Sequence, residues 1–431
     1  MRQNNSVRSG RFGRFFRINK PILTAWIILS ILLLSIFISC SHKNSASGAA
    51  NTNGYLYQMF NSFDPRSLLQ NLGNNIIPPL FANLETSRST LVTATNTFAS
   101  TSCSSGNLNA VQAAWIAHVR DLKKVEPFRF GTTLSSFSKM DPFLIDYLAE
   151  APPSSGDLDD LDAFDDPSQD FLSAQTYIVG FDNDAKGIGA IEYLLFSRAG
   201  ANRGTAPTCS DFANAPNGRS ALLKALVTNY SVHAKNVTDA WKVSGTNPLG
   251  AQLATAGDGT SATFPTSGSA LDAVFTGAVQ LLTIMKDGKL EIPAGLSGGG
   301  NGSSPNTDRA EFRFSGQSFQ SLIDNLSTFK AIYTGNGTGV GLKDYVKFYS
   351  PTLAGEIDAE IAELEIHLGN ITPSVSPSDP STAWGSSNTA NFTAIKSSIT
   401  DLSELLKILN TELAALTGSS PISGGPGGDG D

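Results

Sequence analysis

The residues whose types could do chemistry are few and scattered. The chain carries 4 histidines (His42, His118, His233, His367) and 3 cysteines (Cys40, Cys103, Cys209). No His-Glu-x-x-His occurs, and no two histidines stand at a spacing that suits zinc. His118 precedes Asp121 by three residues, so both could share one helix face and hold a metal; a structural hydrogen bond is the preferred role for His118. Asp157 to Asp166 holds six aspartates but lacks the glycine and terminal glutamate of a calcium loop, and reads as a solvated acidic loop. Gly295-Leu296-Ser297-Gly298-Gly299 fits the nucleophile-elbow pattern, yet it lies in a glycine loop and not between a strand and a helix. The alternating Gly335, Gly337, Gly339 and Gly341 read as a loop between helices, and no Cys-x-x-Cys supports a thiolate zinc site.

The first cysteine has a different chemistry. Six basic residues, Arg2, Arg8, Arg11, Arg14, Arg17 and Lys20, precede an uncharged apolar run from Ile22 to Ser39. That order is a secretory signal. The run ends Phe37-Ile38-Ser39-Cys40, which resembles the lipobox of bacterial lipoproteins, with Phe37 where leucine is usual. The expectation is a signal peptide over 1–39, lipid on Cys40, and a polar tether over 40–53. A retained signal-anchor helix is the alternative, since about 20 apolar residues can span a bilayer. The membrane partner would be met through the lipid, in the cell envelope, with the outer membrane favoured because Ser41 follows the anchor. Export places Cys103 and Cys209 in an oxidising compartment, where a disulfide is the default and two free thiols the alternative. Losing the six basic residues leaves 24 (30 less 6) against 38 acidic ones, a net charge of −14 for the mature chain. So acidic a surface argues against nucleic acid as a partner.

The elements that must position these groups are helices. Leu108, Val111, Trp115, Val119 and Leu122 recur at steps of three and four, as do Ile357, Ile361, Leu364, Leu368 and Ile371. Leu222, Leu226 and Tyr230 repeat at steps of four. The longest stripe is Phe392, Ile395, Ile399, Leu402, Leu406, Leu409, Leu413 and Leu416. Ser318 and Asn391 are expected to cap the helices that follow them. Alternating apolar and polar runs are scarce, so the class is all-α, with amphipathic helices packed stripe to stripe. About 360 residues exceed one comfortable core. Two helical-bundle domains with an inter-domain cleft are therefore expected, over 54–245 and 246–416. A disordered tail over 417–431 should follow.

Four segments occur in a telling order: Asn75-Ile76-Ile77-Pro78; Glu126-Pro127-Phe128-Arg129-Phe130-Gly131 at the end of the Trp115 helix; Gly187-Ile188-Gly189-Ala190-Ile191-Glu192; and Glu311-Phe312-Arg313-Phe314-Ser315. Together they resemble the imelysin family, the peptidase M75 group of exported bacterial proteins, over nearly all of Gly54 to Leu416. The resemblance implies two bundle-like helical domains and a Gly-x-His-x-x-Glu motif on a helix. It also implies a metallopeptidase or a protein linked to iron uptake, and a divalent metal or iron as cofactor. Gly187 and Glu192 match that motif, while Gly189 stands where the family has histidine. The metal ligands left would be Glu192 with Glu126; alternatively Glu192 is a buried acid paired with Arg313. The expectation is a binding lipoprotein that takes a metal or small ligand in the cleft, with the metal-dependent peptidase and a surface interaction protein as alternatives.

Overall fold

The computed structural model describes residues 63–147, 153–372 and 384–417. The signal, Cys40, the tether and the tail from 418 lie outside them. Every regular element described is helical, so the all-α expectation holds. The helices used below are α1 (Arg66–Asn71), α2 (Ile77–Ala99), α3 (Ser105–Val125), α4 (Ser155–Ala163), α5 (Phe171–Tyr177), α6 (Ile188–Phe196), α7 (Arg219–Trp241), α8 (Ser267–Lys286), α9 (Ser318–Thr334), α10 (Pro351–Gly369) and α11 (Thr389–Lys407).

The periodic stripes are the buried faces. Val111, Trp115, Val119 and Leu122 on α3 are almost wholly buried, as are Leu222, Leu226 and Tyr230 on α7 and Ile357, Ile361 and Leu364 on α10. α2 packs on both α3 and α7, and α10 packs on α11. The segment Asn75-Ile76-Ile77-Pro78 does not begin a helix from a loop. α1 continues through a π-helical turn, Leu72–Ile76, into α2. Pro78 and Pro79 have no N–H to continue the ladder, and the junction between the π-helical turn and α2 falls just before them. On α11 the stripe departs from its expected positions: Leu405 and Ile408 are buried, whereas Leu406 is only half-buried. The π-helical turn Ile408–Glu412 widens the helix there and brings Leu409 and Leu413 back inside.

Two expected caps are displaced. The residue before α9 is Gln317, and the Ser318 hydroxyl donates instead to the carbonyl of Glu311 at 2.5 Å. The cap of α11 is Asn388, whose side chain accepts from Asn391 N–H at 3.2 Å. Asn391 itself ties down the preceding segment, accepting from Thr372 N–H and donating to Thr372 O.

Asp64–Asp431 forms one compact unit. Within it, elements on either side of 245/246 are bonded directly. α9 lies on α3, with the Asn325 amide donating to Lys123 O at 2.8 Å and the Thr328 hydroxyl to Lys124 O at 3.0 Å. The loop of alternating glycines closes on α1: Asn71 donates to the carbonyls of Gly335 and Val340, both at 3.1 Å. The disulfide expectation is also met. Cys103 and Cys209 are bonded, with their Cα atoms 5.3 Å apart, and fasten the start of α3 to the turn before α7.

Candidate functional site

The end of α3 and the segments packed on it bury a cluster of charge. Lys123 and Lys289 are both buried, and so are Glu126, Asp141 and Glu311. The Lys123 ammonium bonds Asp141, lies 2.5 Å from Glu311 Oε1 and 3.4 Å from Glu126 Oε2. The Lys289 ammonium donates to Glu126 Oε2 at 2.9 Å and Asn325 Oδ1 at 2.7 Å, and lies 3.1 Å from Glu311 Oε2. The Asn325 amide and the Ser321 hydroxyl complete the cluster, donating to Glu126 Oε2 and Glu311 Oε2. Among the described residues, Glu126 Oε1 accepts nothing although it is buried.

Local sequence explains how these groups meet. Glu126 opens the turn Glu126–Phe128, which lies on α8 where Gly277 stands; a Cβ on Gly277 would come 2.1 Å from Pro127 O. Gly277 is therefore what lets the turn settle against α8. Three carboxylates around two ammonium groups polarise one another strongly. Burial alone would lower the Lys123 pKa, but Asp141, Glu311 and Glu126 hold it above its ordinary value. Burial raises the Glu126 carboxyl, and Lys289, Lys123 and Arg129 outweigh it, bringing it down to about 2. Asp141 is raised, by burial first and then by Glu311 and Glu126 against the pull of Lys123.

Glu192 lies on α6 and has different partners. Its Oε1 accepts from Phe314 N–H at 3.0 Å, Ser315 N–H at 2.7 Å and the Ser315 hydroxyl at 2.7 Å. Burial nevertheless raises its pKa to about 7, against those bonds and the nearby charge of Arg313. Arg313 turns elsewhere, donating to the carbonyls of Asp308 and Pro153 and lying over the Phe314 ring. The glutamate is thus anchored to backbone, and Arg313 acts on it through its field. Gly187, at the start of α6, abuts Pro142: a Cβ there would come 2.4 Å from Pro142 Cδ. Gly189, one turn before Glu192, is half-buried and offers no side-chain ligand.

One segment joins the two groups. Glu311 enters the lysine cluster, while Phe314 and Ser315 donate to Glu192. Between them Phe312 adopts φ 54°, which is costly for a residue with a Cβ. Its ring packs edge-on against Trp115 at 5.4 Å and lies beneath the Lys123 ammonium at 4.9 Å. Three of the four segments that carried the family resemblance, at 126–131, 187–192 and 311–315, therefore converge in space, and Glu126 and Glu192 stand at opposite ends of that arrangement with separate partners. Sequence reasoning passed over Lys123, Asp141, Lys289 and Asn325. The available signal was a lysine on an apolar face: Lys123 lies four residues after Val119, and Lys289 follows Leu282 and Met285 at the same helical spacing.

His118 is buried between Ser87 Oγ, 3.1 Å from Nδ1, and the Tyr230 hydroxyl, 2.7 Å from Nε2. Both ring nitrogens are engaged, which is the structural role expected of it. Burial lowers its pKa to about 3, so the ring is neutral. The acidic stretch from Asp157 is not a loop throughout: it forms α4, where the Arg203 guanidinium holds Asp159 at 2.6 Å and Asp162 at 2.7 Å. The acids among the described residues whose oxygens gather closely enough for a cation are Glu360, Glu363 and Asp401, far along the sequence from either candidate ligand.

An all-helical unit with a buried glutamate on a short helix that opens at Gly187, wired to a cluster of buried lysines and carboxylates, defines the class of protein. The family model of imelysin, peptidase M75, matches residues 78–409. The chain belongs to the imelysin family. Among solved structures it is similar to a putative iron-regulated protein A precursor from Parabacteroides distasonis ATCC 8503, at 15% identity and TM-score 0.61, covering 80% of this chain and 92% of that one. It is also similar to an imelysin-like protein from Psychrobacter arcticum 273-4, at 16% identity and TM-score 0.51, covering 82% and 96%. At those identities the likeness is one of fold. No curated protein matches the chain.

Proposed function

We propose that this chain is a lipid-anchored imelysin-family binding protein of the cell envelope, held through Cys40 and serving iron acquisition without peptidase chemistry. The observation that carries this reading is at the motif. Gly189 has no ligand atom in its side chain, and Oε1 of Glu192 is committed to three donors from Phe314 and Ser315. A catalytic metal needs about three protein ligands and one open position. Glu126 does not complete such a set, because its carboxylate lies against two lysines. The residues at the motif therefore do not fit the metal that the family implies. The iron link is supported by the description of the Parabacteroides relative as iron-regulated.

A metal-dependent peptidase is the competing reading. It is favoured by the buried Glu192 carboxyl near pH 7, a value suited to acid–base catalysis. The two separate in one experiment. The purified protein is assayed for peptide cleavage with and without chelator, beside Glu192→Ala. The binding reading expects no chelator-sensitive cleavage. Cleavage that chelator abolishes and Glu192→Ala removes would establish the enzyme instead.

A further inference from the structure

The acidic stretch that opens α4 borders a cavity of about 540 Å³ between α4, α5 and the segment joining them. Its lining includes Phe164, Tyr177, Leu172, Gln169 and Asp166. Phe164 and Tyr177 pack at 5.0 Å between ring centroids, and Tyr177 continues onto Phe181 at 5.0 Å. Leu172 is 69% exposed at the cavity and Val179 nearby is 79% exposed, so large apolar surface stands open beside the rings. Asp166, Gln169, Ser173 and Thr176 supply polar groups beside this apolar surface, and an open pocket of this size can hold a small ligand.

The segment that lines the cavity carries charge of one sign. From Asp157 to Asp182 there are eight aspartates and no lysine or arginine. Asp159 and Asp162 are taken up by Arg203. Asp166 and Asp170 are not: each uses Oδ1 to accept from a serine N–H and hydroxyl, Ser168 and Ser173 respectively. Their Oδ2 atoms accept no hydrogen bond among the described residues. Each carboxylate is thus held in a fixed orientation with one oxygen free.

We infer that this cavity binds an organic cation, a guanidinium or ammonium head on an apolar stem, with the stem against Phe164, Tyr177 and Leu172 and the head against Asp166. Apolar contact along the stem and a charge-assisted bond from the head to the carboxylate act together on such a ligand. The site shares no residue with the Glu192 and lysine groups and does not depend on the function proposed for them. The source of the cation is either a free small molecule or an arginine side chain presented by a peptide.

The test is calorimetric titration of the full chain with butylguanidinium and with its neutral isostere butylurea, and in parallel with the amidated peptide Gly-Arg-Gly and its citrulline counterpart. Expected are saturable one-to-one binding of a guanidinium probe, at least tenfold weaker binding of its neutral partner, and weakening with added salt. Tighter binding by butylguanidinium assigns the free molecule, and tighter binding by the peptide assigns the side chain. Asp166→Asn should weaken binding at least fivefold, and so should Leu172→Arg, whose exposed position leaves folding intact. The inference is overturned if neither guanidinium probe saturates, if butylurea binds as tightly, or if both variants bind like the wild type.

Discussion

Removing the Lys289 ammonium should expose what the buried charge cluster contributes. In Lys289→Met the side chain keeps its approximate volume, while Glu126 Oε2, Glu311 Oε2 and Asn325 Oδ1 lose a donor at 2.9, 3.1 and 2.7 Å. Breaking a buried ion pair from one side typically costs ~3–5 kcal/mol, because the remaining charge stays buried without its partner. With about 2.1 cal/mol/K per residue over roughly 350 residues, the entropy of unfolding is about 0.7 kcal/mol/K, so Tm should fall by roughly 4–7 °C. The companion variant Lys289→Met/Glu126→Gln removes one of the stranded charges. It should recover part of the loss, giving a coupling of about 1–3 kcal/mol in the cycle. Scanning calorimetry at pH 7 on wild type, both single variants and the double variant measures this. A Lys289→Met protein within 1 °C of wild type, or a double variant whose loss equals the sum of the singles, would refute the picture of one mutually compensated cluster.

Three other outcomes follow from particular residues. His118 has a folded pKa of about 3 against an unfolded value near 6.5. The unfolded chain therefore takes up the proton first, and stability present above pH 6.5 is lost as pH falls, by about 2 kcal/mol at pH 5. Burial of Glu192, with its pKa near 7, works in the opposite sense over the same window. The readout is therefore the difference between the wild type and His118→Phe in denaturant melts from pH 7.5 to 5, and identical slopes in the two proteins count against a buried neutral ring. Alkylation of the unreduced, denatured protein should find Cys103 and Cys209 blocked, and reduction should cost roughly 4–5 kcal/mol through the loop of about 100 residues that the bond closes. Two modified thiols in the unreduced protein would contradict the bond. Labelled palmitate should enter the wild type in a bacterial host and not Cys40→Ala; equal labelling would remove the lipid anchor.

Much of the fold was legible in the sequence because burial on a helix imposes its own period. The stripes on α3, α7 and α10 were read directly, since each is a single regular helix. The α11 stripe was read one residue off around Leu405 and Leu406, because a π-helical turn changes the period and leaves no distinct residue type behind. The caps at Ser318 and Asn391 were misplaced for a related reason. Both residues are good caps, but tertiary partners, Glu311 O and Thr372, claim them. At the candidate site the sequence supplied Glu126, Glu192 and the 311–315 segment, each through a motif. It did not supply their pairing. Glu192 was expected against Glu126 or Arg313 and is bound instead by two backbone N–H groups and a hydroxyl, and backbone donors carry no sequence signature. The lysines at 123 and 289 were visible only as charges on apolar faces, a pattern that becomes informative once the elements packed against those faces are known.

The most direct test of the central claim concerns Gly189. The motif helix carries an anchoring glutamate, and Gly189 offers no side-chain ligand where the family motif has histidine. Calorimetric titration of the wild type and of Gly189→His with zinc and ferrous iron measures this, the substitution placing an imidazole one turn before Glu192. The predicted result is no stoichiometric binding by the wild type and a gain of at least tenfold in affinity in Gly189→His, about 1.4 kcal/mol. Stoichiometric metal in the wild type that Glu192→Ala abolishes, with no gain from the histidine, would contradict the account.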